Sequence, residues 1–156
     1  MAIKTPRNRN LRIDEISGFH PLVQPVAGTL ASRSFCSRFD VLSECSVRGL
    51  IQLHPIQLVH EKNEFYVIAG FRSYQLGISR LGNEKFPVCI HSQLDDDRIL
   101  DMANIDILGS PLLHSLGTKS ASQIEQIMAQ IGRKEALNLA PGLKTARSVV
   151  RFEKSV

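Results

Sequence analysis

Apolar and polar residues change their spacing several times along this chain, and each change marks an element. The order is clearest between Ile56 and Ile90, IQLVHEKNEFYVIAGFRSYQLGISRLGNEKFPVCI. Two runs rich in β-branched and aromatic residues, Ile56–His60 and Glu64–Ala69, flank Glu61-Lys62-Asn63 and predict a hairpin. Gly70 then permits a sharp turn. Tyr74, Ile78 and Leu81 follow at i, i+4 and i+7, which predicts one face of a helix that Gly82 closes. Phe86–His91 is the next strand, with Pro87 near its start, where a missing N–H is tolerable.

Outside this unit the pattern is weaker. Residues 1–10 are polar and basic and are expected as a flexible arm, followed by a short strand at Leu11–Ile16. Gly18 to Gly28, with Pro21 and Pro25, reads as a loop long enough to be a binding element. A helix is expected from Ser37, with Asp40 completing a rough capping box, through Phe39, Leu42 and Cys45 or Ser46 to a stop at Gly49. Another spans about Leu94 to Leu108, with Asp95, Asp96 and Asp97 complementing its dipole in the first turn. Three adjacent aspartates point around a helix in different directions and do not converge on a metal.

Ser110-Pro111 breaks that helix, and Leu112–Leu116 predicts a further short turn. The remainder is helical in pattern. Ser122 and Glu125 form a capping box, and Ile124, Ile127, Met128 and Ile131 make a stripe that ends at Gly132. Arg133–Leu139 and a basic segment, Leu143–Glu153, lie on either side of Pro141-Gly142. Two helices joined at a glycine give the outline of a helix-turn-helix, although a Met and Ile stripe is more often core packing. The expected division is a 1–10 arm, an 11–116 domain and a 117–156 helical extension.

Composition is that of an ordinary globular chain, 43% hydrophobic and 22% charged over 156 residues, enough for one core. No apolar run reaches bilayer-spanning length, and MAIKTPRNRN lacks the apolar segment of a signal peptide, so no membrane association and a cytoplasmic location are expected. Cys36, Cys45 and Cys89 have no CxxC spacing and read as buried thiols. The five histidines show no paired metal spacing, so no metal site is expected.

Charge is more informative in its distribution. The net charge is +4, but residues 1–12 and 132–156 together carry +8 and the middle −4. Basic ends on a mildly acidic body favour a polyanion, with nucleic acid the leading candidate, and the candidate contacts are Arg7, Arg9, Arg12, Arg133, Lys134, Lys144, Arg147 and Arg151. Tails that merely aid solubility are the alternative.

The Gly70 turn carries the candidate chemistry. A glycine lets the backbone approach a ligand, and the N–H groups opening the next helix form an anion site. Arg72 adds a forked permanent charge and Ser73 a hydroxyl, together suited to phosphate. A plain strand-to-helix turn with a solvated arginine is the other reading.

Several pieces in this order resemble the ParB/sulfiredoxin superfamily, specifically the ParB-like N-terminal (ParB-like nuclease) domain. They are Gln24-Pro25, Leu53-His54-Pro55-Ile56, Tyr66 through Tyr74 with Gly70-Phe71-Arg72-Ser73 where the family has GERR, Phe86-Pro87-Val88 and Asn104-Ile105. Gly49-Leu50-Ile51-Gln52 fits the same motif position as Leu53–Ile56. The resemblance covers Leu11 to about Leu113. It implies an α/β (α+β) fold with a small mixed sheet and flanking helices. It also implies a nucleotide, CTP or ATP, held by its phosphate at the turn through His54, Pro55, Gly70, Arg72, Ser73, Tyr74 and Asn104. DNA is the implied partner, with homodimerisation frequent.

Three positions depart from the pattern: Phe71 stands for a glutamate, Ser73 for an arginine and Ala103 for a glutamate. Two carboxylates expected to serve Mg²⁺ are therefore missing, which counts against hydrolysis. The sulfiredoxin cysteine would fall at Phe71, and reductase activity is not expected. The expected function is a ParB-like, nucleotide-responsive DNA-associated protein of partition or regulatory type. The alternatives are an NTPase or metal-assisted nuclease on the same fold, and an interaction module that has lost the ligand.

Overall fold

The computed structural model describes residues 5–27, 41–109, 133–139 and 141. Four strands form one mixed sheet: β1 (Arg7–Leu11), β2 (Ile56–Glu61), β3 (Glu64–Ala69) and β4 (Phe86–His91), in the order β1-β4-β2-β3. The helices are α1 (Glu44–Leu53), α2 (Phe71–Arg80), α3 (Asp96–Asn104) running into a π-helical turn at Ile105–Gly109, and α4 (Arg133–Leu139). This is the expected mixed sheet with flanking helices.

The hairpin forms because Lys62 and Asn63 both take positive φ, 49° and 66°, the mirror-image turn that matches strand twist. β4 then returns parallel to β2, with Ile56 opposite Val88 and Gln57 opposite Cys89. Pro87 is tolerated because β2 begins opposite Val88, so Pro87 pairs only with Asn10 of β1. The outer edge of β3 is covered by residues 17–20, whose Ser17 and His20 N–H groups donate to Phe65 and Val67 carbonyls while the Val67 N–H donates to Gly18. That covering removes an exposed sheet edge.

Alternation puts Ile56, Leu58 and Val88 on one face, toward α1 and α2, and Val59 on the other. Both faces are covered. Val47, Ile51, Phe71, Leu58, Val59, Ile68 and Ile99 are all at most 1% exposed.

Several local expectations are corrected. Residues 7–10, expected in the arm, form β1, and Leu11–Ile16 is not a strand: after Leu11 comes a 3-10 turn at Ile13–Glu15. β1 has no apolar alternation because Arg7 to Asn10 are exposed and only Leu11 is buried, so its hydrogen bonds to β4, not its pattern, make it a strand. The Gly18–Gly28 segment is only partly loop, since Pro21–Val23 is a 3-10 turn and residues 24–27 are helical. Gly49 does not stop α1. The helix starts after the Ser43 cap and runs on to Leu53, because Val47 and Ile51 bury on one side and nothing crowds Gly49.

On α2, Tyr74 and Leu81 are buried, but Ile78 is 51% exposed, and Phe71, Ser73 and Gly77 complete the buried side instead. Gly82 has the expected left-handed conformation, φ 53°. Asp95 caps α3 by accepting the Arg98 N–H at 2.8 Å, and Asp96 and Asp97 lie in its first turn. Cys45 is exposed rather than buried, as it sits in the first turn of α1 away from the Val47–Ile51 side; Cys89 is half-buried. Arg133–Leu139 is helical as expected. The expected elements at residues 112–116, 122–131 and 143–153, the start of the helix expected from Ser37, and Cys36 lie outside the described residues.

Candidate functional site

β3 ends at Ala69, and Gly70 swings the chain into α2 with φ 75° and ψ 31°. Glycine is required here twice over. Its backbone is left-handed, and a Cβ would meet the Ile56 Cα at 2.9 Å and the Pro55 carbonyl at 3.0 Å. The turn therefore lies directly on the His54-Pro55-Ile56 segment that links α1 to β2. Gly49–Gln52, which competes for the same motif position, is inside α1.

Two hydrogen-bond systems fix this contact. Ser73 Oγ donates to the His54 carbonyl at 2.6 Å, and Ser73 is only 5% exposed. On the β2 side, Gln57 Nε2 donates to the Pro55 carbonyl at 2.9 Å. Gln57 Oε1 can then only accept, so the His91 contact at 2.8 Å is an Nε2–H donation and the histidine tautomer is set. Burial, reinforced by Arg98, pushes the His91 pKa down, and Cys89 Sγ lies 3.9 Å from the same nitrogen. Burial also raises the Cys89 thiol pKa, the opposite of an activated nucleophile.

The N–H groups that open α2 converge as the glycine turn suggested, but they are already engaged. Asp106 Oδ2 accepts from the Gly70 N–H at 2.9 Å and from the Phe71 N–H at 3.0 Å. Asp106 comes from the π-helical turn after α3. Reading Leu94 to Leu108 as one regular helix hid this: a π turn inserts a residue, and each inserted residue rotates the downstream chain by about 100°. The only trace in the sequence is an acid two places beyond Asn104.

Phe71, in the position of the family glutamate, is fully buried and packs edge-on against Phe19 at 5.6 Å. Tyr74 is buried against the same ring at 5.4 Å, and its pKa is raised by burial. The structure thus brings His54, Pro55, Gly70, Ser73 and Tyr74 together. Arg72 is half-buried in the first turn of α2, and Asn104 is exposed at the end of α3.

The donors do not fit Mg²⁺. Phe71 is core, Ala103 is buried, Asp106 is held by backbone N–H groups, and the described residues contain no group of three or more His, Cys, Asp or Glu able to hold a metal. The same corner does fit an anionic oxygen, since it holds one.

The candidate DNA contacts are dispersed. Arg7 and Arg9 are exposed on β1, with the Arg9 guanidinium 6.0 Å from the Phe65 ring centre. Arg12 instead pairs with Asp14 at 3.0 Å. Near the end of β1 a cleft of about 240 Å³ is lined by Asn10, Arg48, Gln52 and Lys85, with Arg48 ion-paired to Glu84. Arg133 and Lys134 are exposed on α4, and Lys144, Arg147 and Arg151 lie outside the described residues. No helix among the described residues is long and apolar enough to cross a membrane.

No family model matches this chain, and no curated protein does. Among solved structures it is similar to the C-terminally truncated chromosome-partitioning protein ParB from Caulobacter crescentus, crystallised in complex with CTP-gamma-S. The two are 16% identical, with 95% of this chain and 77% of that one covered and a TM-score of 0.56. The mixed sheet, its flanking helices and this likeness together give the chain a ParB-like fold.

Proposed function

We propose that this chain is a ParB-like protein that binds a nucleotide through its phosphates at the Gly70 turn and acts with DNA, in a partition or regulatory role. The observation that supports this reading is the pair of N–H groups at Gly70 and Phe71, which converge on a single anionic oxygen within a ParB-like fold. Two aligned N–H groups at a helix N-terminus donate to phosphate oxygens as readily as to carboxylate oxygens. Arg72, one residue on, adds permanent charge. Ser73 and Gly70 hold the His54–Pro55 segment against the turn, and the exposed Arg7, Arg9, Arg133 and Lys134 are the proposed contacts for the DNA backbone.

The test is a thermal-shift panel of CTP, ATP, GTP and UTP on the full chain, paired with DNA binding at several salt concentrations. The reading expects stabilisation by at least one nucleotide and DNA affinity that falls steeply with salt. No nucleotide effect, with salt-insensitive DNA retention, overturns it. A second reading is favoured by Asp106 itself: a carboxylate built into the chain already satisfies the corner, as in an interaction module that keeps the fold without the ligand. A flat nucleotide panel together with a stable protein complex supports that reading.

A further inference from the structure

We propose that Asp106 is an internal competitor for the Gly70 corner, which an incoming phosphate must displace, so that the site admits nucleoside polyphosphates and rejects free phosphate. The inference rests on the phosphate reading above and adds its regulation. The geometry is that of an occupied receptor: one carboxylate oxygen, Oδ2, takes both N–H groups at 2.9 and 3.0 Å. A phosphate oxygen needs the same two donors. Two anions that close together repel strongly in a partly buried setting, so both cannot be present.

Asp106 is placed to leave. It sits on a π-helical turn, a rare backbone form that occurs mostly as single turns and frequently at functional sites. Just before it come two exposed residues, Asn104 and Ile105, the latter 63% exposed, while α3 is anchored by Ile99 and Ala103. A change of the π turn toward α-helical hydrogen bonding re-aims the chain from Ile105 onward and moves the carboxylate out of the corner without disturbing that anchor. Release therefore couples the corner to the C-terminal end of α3.

Competition also sets specificity. A lone phosphate offers the corner no more than the carboxylate does, and it must drive the displacement with a single contact. A nucleotide adds further phosphates beside Arg72 and contacts from sugar and base, which favour the exchange.

Calorimetric titration of CTP, ATP and inorganic phosphate into the wild-type chain, Asp106→Asn and Asp106→Ala tests this. The Asn variant keeps the side-chain shape, should the Ala variant fold poorly. Expected are nucleotide binding at least tenfold tighter in both variants, phosphate binding in Asp106→Ala but not in wild type, and movement of the Gly70 and Phe71 amide resonances when wild type binds nucleotide. Wild-type nucleotide binding with those amides unmoved and no gain in either variant overturns the competitor while leaving a nucleotide site in place. No binding of any nucleotide by all three proteins removes both this inference and the phosphate reading.

Discussion

Ser73 Oγ donates to the main-chain carbonyl of His54 across a distance of 2.6 Å, joining the first turn of α2 to the end of α1. The hydroxyl proton expected on a phosphate is thus engaged within the protein itself. Ser73 lies at 5% exposure, so its loss leaves a carbonyl short of a partner in a closed site. Ser73→Ala is expected to lower unfolding free energy by about 1–2 kcal/mol, read by urea denaturation, with nucleotide affinity changed less than by Arg72→Ala.

Gly70 and Gly49 make a contrasting pair. A Cβ at Gly70 meets the Ile56 Cα at 2.9 Å in a backbone of φ 75°, whereas at Gly49, within α1, it meets nothing within 4 Å. Gly70→Ala should cost roughly 2–4 kcal/mol, combining left-handed strain with a backbone clash. Gly49→Ala should instead stabilise by roughly 0.5–1 kcal/mol, through helix propensity and a less disordered unfolded chain. Equal effects at the two positions in denaturation experiments contradict the described turn.

Phe71 cannot simply be replaced by the glutamate that the ParB-like motif carries at this position. Its ring is fully buried and meets Phe19 edge-on. Phe71→Glu places a carboxylate in that core without a partner and should abolish cooperative unfolding at neutral pH; Phe71→Leu, which keeps most of the apolar volume, should cost only about 1–2 kcal/mol. Near-ultraviolet circular dichroism with thermal melts distinguishes the two.

His91 gives a pH signature. Burial, then Arg98, lowers its folded pKa below the ordinary 6.5. The unfolded chain therefore binds the proton first, so stability is complete above pH 6.5 and is lost as pH falls from there toward the folded pKa. Wild type minus His91→Gln, tracked by chemical denaturation from pH 8 to about pH 5, should show that loss. A flat difference curve contradicts the half-buried neutral His91.

The legible parts of the chain are those where local chemistry and tertiary structure agree. Glu64–Ala69, the Gly70 turn, Gly82 and Phe86–His91 stand where their turn residues and β-branched runs place them. β1 is hidden because Arg7 to Asn10 are exposed and carry no alternation, so only pairing with β4 defines the strand. Gly49 reads as a stop because propensity disfavours glycine in helices, and packing of Val47 and Ile51 overrides it. Asp106 is invisible as a site residue because a π turn has no sequence signal and its donors are 35 and 36 residues away. The glycine corner and the His54–Pro55 contact can be read from residues alone; its occupant cannot.

The most direct measurement is calorimetric titration of CTP and ATP into the wild-type chain and into Arg72→Ala, in the same buffer. Saturable binding by wild type, weakened roughly tenfold or more when the guanidinium is removed, is the result expected of a phosphate held at the Gly70 turn. Equal affinity in the two proteins, or no binding by wild type or by Asp106→Ala, contradicts it.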